Sequence, residues 1–246
     1  MPAMPAWPPK SLPRLFVSEP LGAGAEIELD SSQANYLGNV LRLSEGAELL
    51  VFDGISGEWL ARISNAAKKR MTLRVERRTR EPETIPDLWL AFAPVKRAQT
   101  DWLVEKATEL GIARLIPVIT RRTVVDRVKL ERLKAISIEA AEQCGRTRLP
   151  DIVEPQPLRR FLTEQDPRRR LYFADEGGGE PAAPTFAPGP STILTGPEGG
   201  FNDEERELVR SADNGTAISL GPRILRAETA ALAAIAIYMA LAGDWR

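Results

Sequence analysis

The chain has 246 residues, 43% of them apolar and 27% charged, with a formal net charge of −1, no histidine and a single cysteine. That size and apolar content suffice for a substantial core, as one large domain or two modest ones. The missing histidine and the lone Cys144 exclude a Ser-His-Asp or Cys-His nucleophile system, a zinc site built on His or Cys, and an intramolecular disulfide. Carboxylate-bound Mg²⁺ stays open, but no set of metal ligands stands out.

The proline-rich start, MPAMPAWPPKSLP, lacks the apolar core of a signal peptide and reads as a flexible tail over residues 1–13. The longest apolar stretch, Ala227 to Ala242, contains Glu228 and Thr229 and is too short to span a membrane. These features, and a single unpaired cysteine, point to a cytoplasmic protein that does not engage membrane.

From Arg14 to Arg80 the pattern is short and β-like. Arg14–Val17, Ala25–Leu29, Leu49–Phe52, Glu58–Ile63 and Met71–Glu76 read as strands, and Ser32–Leu41 as the one helix. Asp53-Gly54 followed by Gly57 favours a hairpin between the third and fourth strands. Strands at this spacing suggest a small barrel over residues 14–80. The segment TREPETIPD ends it, and residues 81–87 read as a linker.

Over residues 88–246 the rhythm changes. Strands are expected at Leu88–Ala93, Arg114–Thr120, Leu171–Ala174, Thr192–Thr195 and Thr216–Leu220. Helices are expected at Arg97–Leu110, Lys129–Cys144, Asn202–Ala212 with Asn202 as N-cap, and Ala227–Leu241. The last is apolar nearly all round and so should be buried. Glu176–Pro190, rich in glycine and proline, reads as a loop. Alternating strands and helices imply an α/β domain with a mostly parallel sheet.

Charge is uneven. Arg62 to Arg80 carries eight basic residues against the single Glu76, and Lys96 to Arg148 carries twelve against seven acidic ones. Asp151 to Arg246 reverses the sign, with ten basic and fifteen acidic residues. This suits a nucleic-acid-binding front and an acidic back, although ordinary solvated faces would give the same counts.

No P-loop is present, and no G-x-G-x-x-G follows a strand. Two other glycine-bearing turns each join a buried strand to a helix start: Leu194-Thr195-Gly196-Pro197-Glu198-Gly199-Gly200-Phe201 and Leu220-Gly221-Pro222-Arg223-Ile224-Leu225-Arg226-Ala227-Glu228-Thr229-Ala230. Loops at the carboxyl ends of α/β strands are where ligands bind, and glycine lets a ligand touch the backbone; two tight connections needing glycine for geometry is the plainer alternative.

Together these two turns resemble the paired signature of the RsmE family, 16S ribosomal RNA (uracil-N3)-methyltransferases of the SPOUT superfamily. Further agreement lies in Arg14-Leu15-Phe16, Val40-Leu41-Arg42-Leu43, Glu105–Gly111 and Glu139–Arg146. Where many relatives have histidine before the VLR block, this chain has Tyr36-Leu37-Gly38-Asn39, leaving Asn39 as the hydrogen-bonding group there. The resemblance implies a PUA- or OB-like β-barrel followed by a trefoil-knotted SPOUT methyltransferase domain, a homodimer, and a 16S rRNA or small-subunit substrate.

It also implies that S-adenosylmethionine is held mainly by backbone, around Leu194, Gly196, Gly199, Gly200, Leu220, Gly221, Ile224 and Leu225. On that placement, valine at Gly196 or Gly221 should abolish cofactor binding and leave most of the fold intact. For the chemistry, a guanidinium from Arg226 or Arg223 would stabilise the uracil anion, and Glu198 or Glu228 would position that arginine or relay the proton. Glu228 also reads simply as a first-turn acid at a helix N-terminus. Candidate RNA contacts carried over are Arg14, Arg42, Lys96, Arg97, Lys106 and Arg146.

Overall fold

The structure is a computed structural model that describes residues 12–67, 70–125 and 127–245, and the chain divides into two units. One runs to Glu83 and includes Glu142–Arg148; the other comprises Thr84–Ala141 and Leu149–Arg246. Most of the expected tail, and Lys68 and Lys69 of the basic run, lie outside the described residues.

The first unit contains β1 (Arg14–Phe16), β2 (Glu26–Glu28), α1 (Ser31–Asn35), a π-helical turn at Tyr36–Val40, β3 (Glu48–Phe52), β4 (Glu58–Ala67) and β5 (Arg70–Arg80). They form one sheet in the order β1-β3-β4-β5-β2, antiparallel except for the β1–β3 pair. Period-two alternation sets its faces: Met71, Leu73 and Val75 are buried while Arg70 and Arg74 are exposed. Leu15, Ile27, Leu37, Leu49 and Ile63 complete that core.

The β3–β4 hairpin closes on Asp53, whose carboxylate accepts from the backbone N–H of Ile55 and Ser56 at 2.8 and 2.7 Å. Burial pushes the Asp53 carboxyl up, but those N–H donors and the Ser56 hydroxyl outweigh it and hold it below the ordinary value. The expected helix at Ser32–Leu41 is real but composite: Asp30 and Gln33 form a capping box before α1, and the chain then widens into the π turn. Just past that turn, Arg42 has a φ of +57°, the one positive value at a non-glycine among the described residues.

The second unit holds β6 (Leu88–Phe92), α2 (Arg97–Glu109), β7 (Arg114–Ile119), α3 (Leu130–Cys144), β8 (Asp151–Ile152), β9 (Gln156–Pro157), α4 (Leu158–Glu164), β10 (Arg170–Ala174), β11 (Glu180–Pro181), α5 (Ala182–Thr185), β12 (Ser191–Thr195), α6 (Asp203–Arg210), β13 (Gly215–Ser219) and α7 (Ala227–Leu241). The last residues of α3 belong to the first unit. The sheet is wholly parallel, in the order β11-β13-β10-β12-β6-β7-β8, with β9 pairing β7.

Its two faces carry separate cores. Leu90, Phe92, Leu103, Ile193, Ile235 and Tyr238 fill one, under α2 and α7, and Ile116, Phe161, Phe173, Leu194, Phe201 and Val209 fill the other, under α4 and α6. This is the covering on both faces that a parallel sheet requires.

Three expectations change. Glu176–Pro190 is not merely a loop, because it contains β11 and α5 and sends Phe186 edge-on against Tyr172 at 4.8 Å between ring centres. Helix α7 is buried on one side only; Leu232, Ala233, Ala236 and Ile237 are half-exposed and Leu241 is 44% exposed. Glu142–Arg148, expected inside the C-terminal domain, groups instead with the first unit.

Arg14 is one of several residues that tie this segment to the first unit, with Phe16, Arg80 and Glu83. Its Nε donates to Glu58 at 2.9 Å, and its Nη1 and Nη2 to the carbonyls of Glu142 and Arg146 at 3.2 and 2.8 Å. Burial draws the guanidinium below its ordinary pKa, and Glu58 partly restores it. Replacing Glu58 by alanine strands that charge, and urea unfolding should show a loss of about 3–5 kcal/mol.

Candidate active site

The carboxyl ends of β10, β12 and β13, neighbours in the sheet, open into one cavity of about 520 Å³. That volume suits a cofactor-sized ligand. Three loops wall it. After β12 come Gly196, Pro197, Glu198, Gly200 and Phe201; after β13 come Leu220 to Ala227; after β10 come Asp175 to Gly178.

Local geometry explains the glycines. Gly200 and Gly221 have φ of +65° and +111°, where side chains are strained. At Gly221 a Cβ would meet nothing within 4 Å, so backbone conformation alone selects glycine. At Gly196 a Cβ would sit 2.7 Å from the Phe201 ring, which belongs to the core beneath the sheet. Valine at Gly196 therefore disturbs the core as well as the cavity, contrary to the expectation that most of the fold would be spared. Gly221 is the cleaner probe.

The glycine turn is braced from outside. Arg122 Nη1 donates to the Gly199 carbonyl at 2.7 Å and to that of Phe201 at 3.4 Å. Glu205 accepts from the backbone N–H of Arg121 at 2.7 Å and of Asn202 at 3.1 Å, so that the expected N-cap Asn202 becomes part of a capping box.

Of the residues expected around a cofactor, Gly196, Gly200, Leu220, Gly221, Ile224 and Leu225 line the cavity. Leu194 does not: its side chain is fully buried in the core with Phe173 and Phe201. Gly199 faces Arg122 instead. Ile224 is 86% exposed, a large apolar side chain at the mouth.

Arg223, Arg226 and Glu198 also line the cavity, all exposed, and among the described residues none makes a side-chain hydrogen bond or ion pair. Arg226 is the N-cap of α7 through its backbone, which leaves its side chain unused by the cap. Glu228 lies outside the wall. It is 7% exposed in the first turn of α7, and its Oε2 is buried without a partner, offset by the positive helix end.

The RNA candidates separate by burial. Arg14 is spent inside the first unit, and Arg146 is 6% exposed beside Glu83 at 3.5 Å, so neither is presented to a phosphate. Lys106 is held by Glu105 and Glu109 at 2.7 and 2.8 Å, hydrogen bonds that raise its pKa and compensate its charge. Arg42, Lys96 and Arg97 are exposed. Within the basic run Arg62 is paired with Glu48 and Glu76, whereas Arg74 and Arg77 stand exposed on β5. The amide of Asn39 donates to Asn35 at 2.7 Å.

Residues 175–178 and Arg206 were not anticipated. The signal was Leu171–Ala174, a buried strand running straight into Asp-Glu-Gly-Gly-Gly.

The chain matches the family model described as an RNA methyltransferase domain over residues 81–239, and that of an RNA methyltransferase PUA domain over residues 29–76. It is similar to a ribosomal RNA small subunit methyltransferase E of Rickettsia conorii, 36% identical over 229 residues, 91% of this chain and 93% of the relative. The one from Synechocystis is 33% identical over 236 residues, covering 93% and 77%. Among solved structures, the ribosomal RNA small subunit methyltransferase E of Neisseria gonorrhoeae, bound to S-adenosylmethionine, superposes with a TM-score of 0.89 at 28% identity, over 96% of this chain and all of that one.

Replacing Gly221 by valine is expected to weaken binding of S-adenosylhomocysteine at least tenfold in calorimetry. The melting temperature should fall by several degrees, because valine is strained at a φ of +111° even though its side chain meets open space.

Proposed function

The chain belongs to the ribosomal RNA small subunit methyltransferase E family, and from that membership we propose that it methylates N3 of a uridine in the 16S rRNA of the small ribosomal subunit, using S-adenosylmethionine. The observation that carries this reading is the glycine-walled cavity at the ends of β10, β12 and β13, with two unpartnered arginines at its mouth. The residues present fit the cofactor. Gly200 and Gly221 bring backbone to the cavity surface, and Leu220 and Leu225 give it apolar walls for a nucleobase.

When bound, the cofactor supplies a methyl group already activated by its sulfonium. What the chain must add is alignment and a deprotonated nitrogen. Loss of the N3 proton spreads negative charge onto the uracil oxygens, and a guanidinium beside them stabilises that charge. Arg226 holds that role in this reading, with Arg223 beside it on the same turn. Glu198, exposed on the facing turn, takes or relays the proton, and Glu228 tunes the start of α7 from behind. RNA is drawn by Arg42, Lys96 and Arg97, joined by Arg74 and Arg77 on β5; forked guanidinium donors suit phosphate.

Three further features belong to the same reading. The first unit is a PUA-type barrel. The second carries a trefoil knot, a feature that rests on the family resemblance. The protein acts in the cytoplasm as a homodimer, the dimer being supported by the half-exposed apolar stripe of α7 and by Trp102 and Leu241, each 44% exposed. No helix among the described residues is long and apolar enough to cross a membrane.

The test is methyl transfer from labelled cofactor to small subunits lacking their own modification, followed by nucleoside identification. N3-methyluridine is the expected product; a 2′-O-methyl nucleoside would overturn the assignment. Arg226→Ala should lower kcat by about 10²–10³ while changing cofactor affinity less than about threefold. Equal losses in both would remove Arg226 from the chemistry.

A further inference from the structure

Glu176 is the one acidic side chain on the β10 wall of the cavity that is not buried in an ion pair. The side chain of its neighbour Asp175, 1% exposed, is consumed by Arg206 at 3.2 Å and Arg210 at 2.6 Å. Glu176 Oε1 accepts from Arg206 Nη2 at 3.4 Å, while Oε2 accepts no hydrogen bond among the described residues. The side chain is 46% exposed and lines the cavity.

Two features hold the carboxylate at that spot. Arg206, itself in the cavity wall, is fixed by Asp175 and steadies Oε1. Gly200 makes room on the other side: a Cβ there would run into the Glu176 carboxylate. The chain thus keeps a glycine on the facing turn where any larger residue would displace this side chain.

Resting on the cofactor reading above, we propose that Glu176 is a positioning residue that accepts hydrogen bonds from the ribose 2′- and 3′-hydroxyls of the bound adenosine. An ionised carboxylate is an acceptor with two oxygens, and a vicinal diol offers two donors at matching separation. The same chemistry places an acidic side chain near a strand end on the ribose in dinucleotide-binding folds. Here the strand is β10, central among the three that build the cavity. Hydrogen bonds to a charged acceptor are the stronger kind, so their loss should register in affinity.

The experiment measures binding of two probes to the full chain by calorimetry: S-adenosylhomocysteine and its 2′,3′-dideoxy analogue. Glu176→Ala should weaken S-adenosylhomocysteine ten- to a hundredfold. It should leave the dideoxy analogue within about twofold of its affinity for the unaltered protein. Glu176→Gln, which preserves shape and retains one acceptor oxygen, should fall between, and serves if the alanine variant does not fold. Equal loss with both probes, or no loss with S-adenosylhomocysteine, overturns the assignment. If S-adenosylhomocysteine fails to bind the unaltered protein, the cofactor reading itself falls, a result distinct from either.

Discussion

Everything in the second unit follows from one constraint, the parallel pairing of β13, β10 and β12. Parallel pairing sends all three carboxyl ends to the same edge, where each strand must turn into a loop, and the loops cannot avoid facing one another. A cavity there is a consequence of topology before it is a matter of side chains. The residues then decide its lining: glycine where backbone forms the surface, leucine on the apolar walls, and arginine and glutamate at the rim.

The two units divide the electrostatic labour differently from the raw charge counts. Much of the basic excess is internally consumed: Arg14 by Glu58, Arg62 by Glu48 and Glu76, Lys106 by its two helix neighbours. What reaches solvent without a counter-charge is a smaller set, and it includes Arg42, held in the left-handed region that most side chains avoid. A non-glycine residue is uncommon there and carries a backbone cost.

Much of this was legible from the residues. Helix α7 begins and ends where its apolar run does, Asn202 caps α6 as its acids foretold, and the Asp53 hairpin forms. The paired glycine turns were visible because glycine and proline punctuate so sharply. What escaped detection depends on packing distant in sequence. Arg14 looks like any surface arginine until Glu58 and two carbonyls from residues 142 and 146 surround it. Leu194 sits in the motif yet points into the core, because a strand alternates its faces whatever the loop beyond it does. The third wall was overlooked because Asp175 to Gly178 resembles an ordinary connection, and only the sheet order brings it between the other two.

Phe201 has a consequence of its own. Its ring occupies the space that a side chain at Gly196 would need, and the same ring stacks edge-on against Phe173 at 5.0 Å. The turn and the hydrophobic interior therefore share an atom-for-atom boundary, with no soft layer between them. A side chain added at Gly196 would press on the Phe201–Phe173 pair, and the strain would pass from the turn straight into the interior.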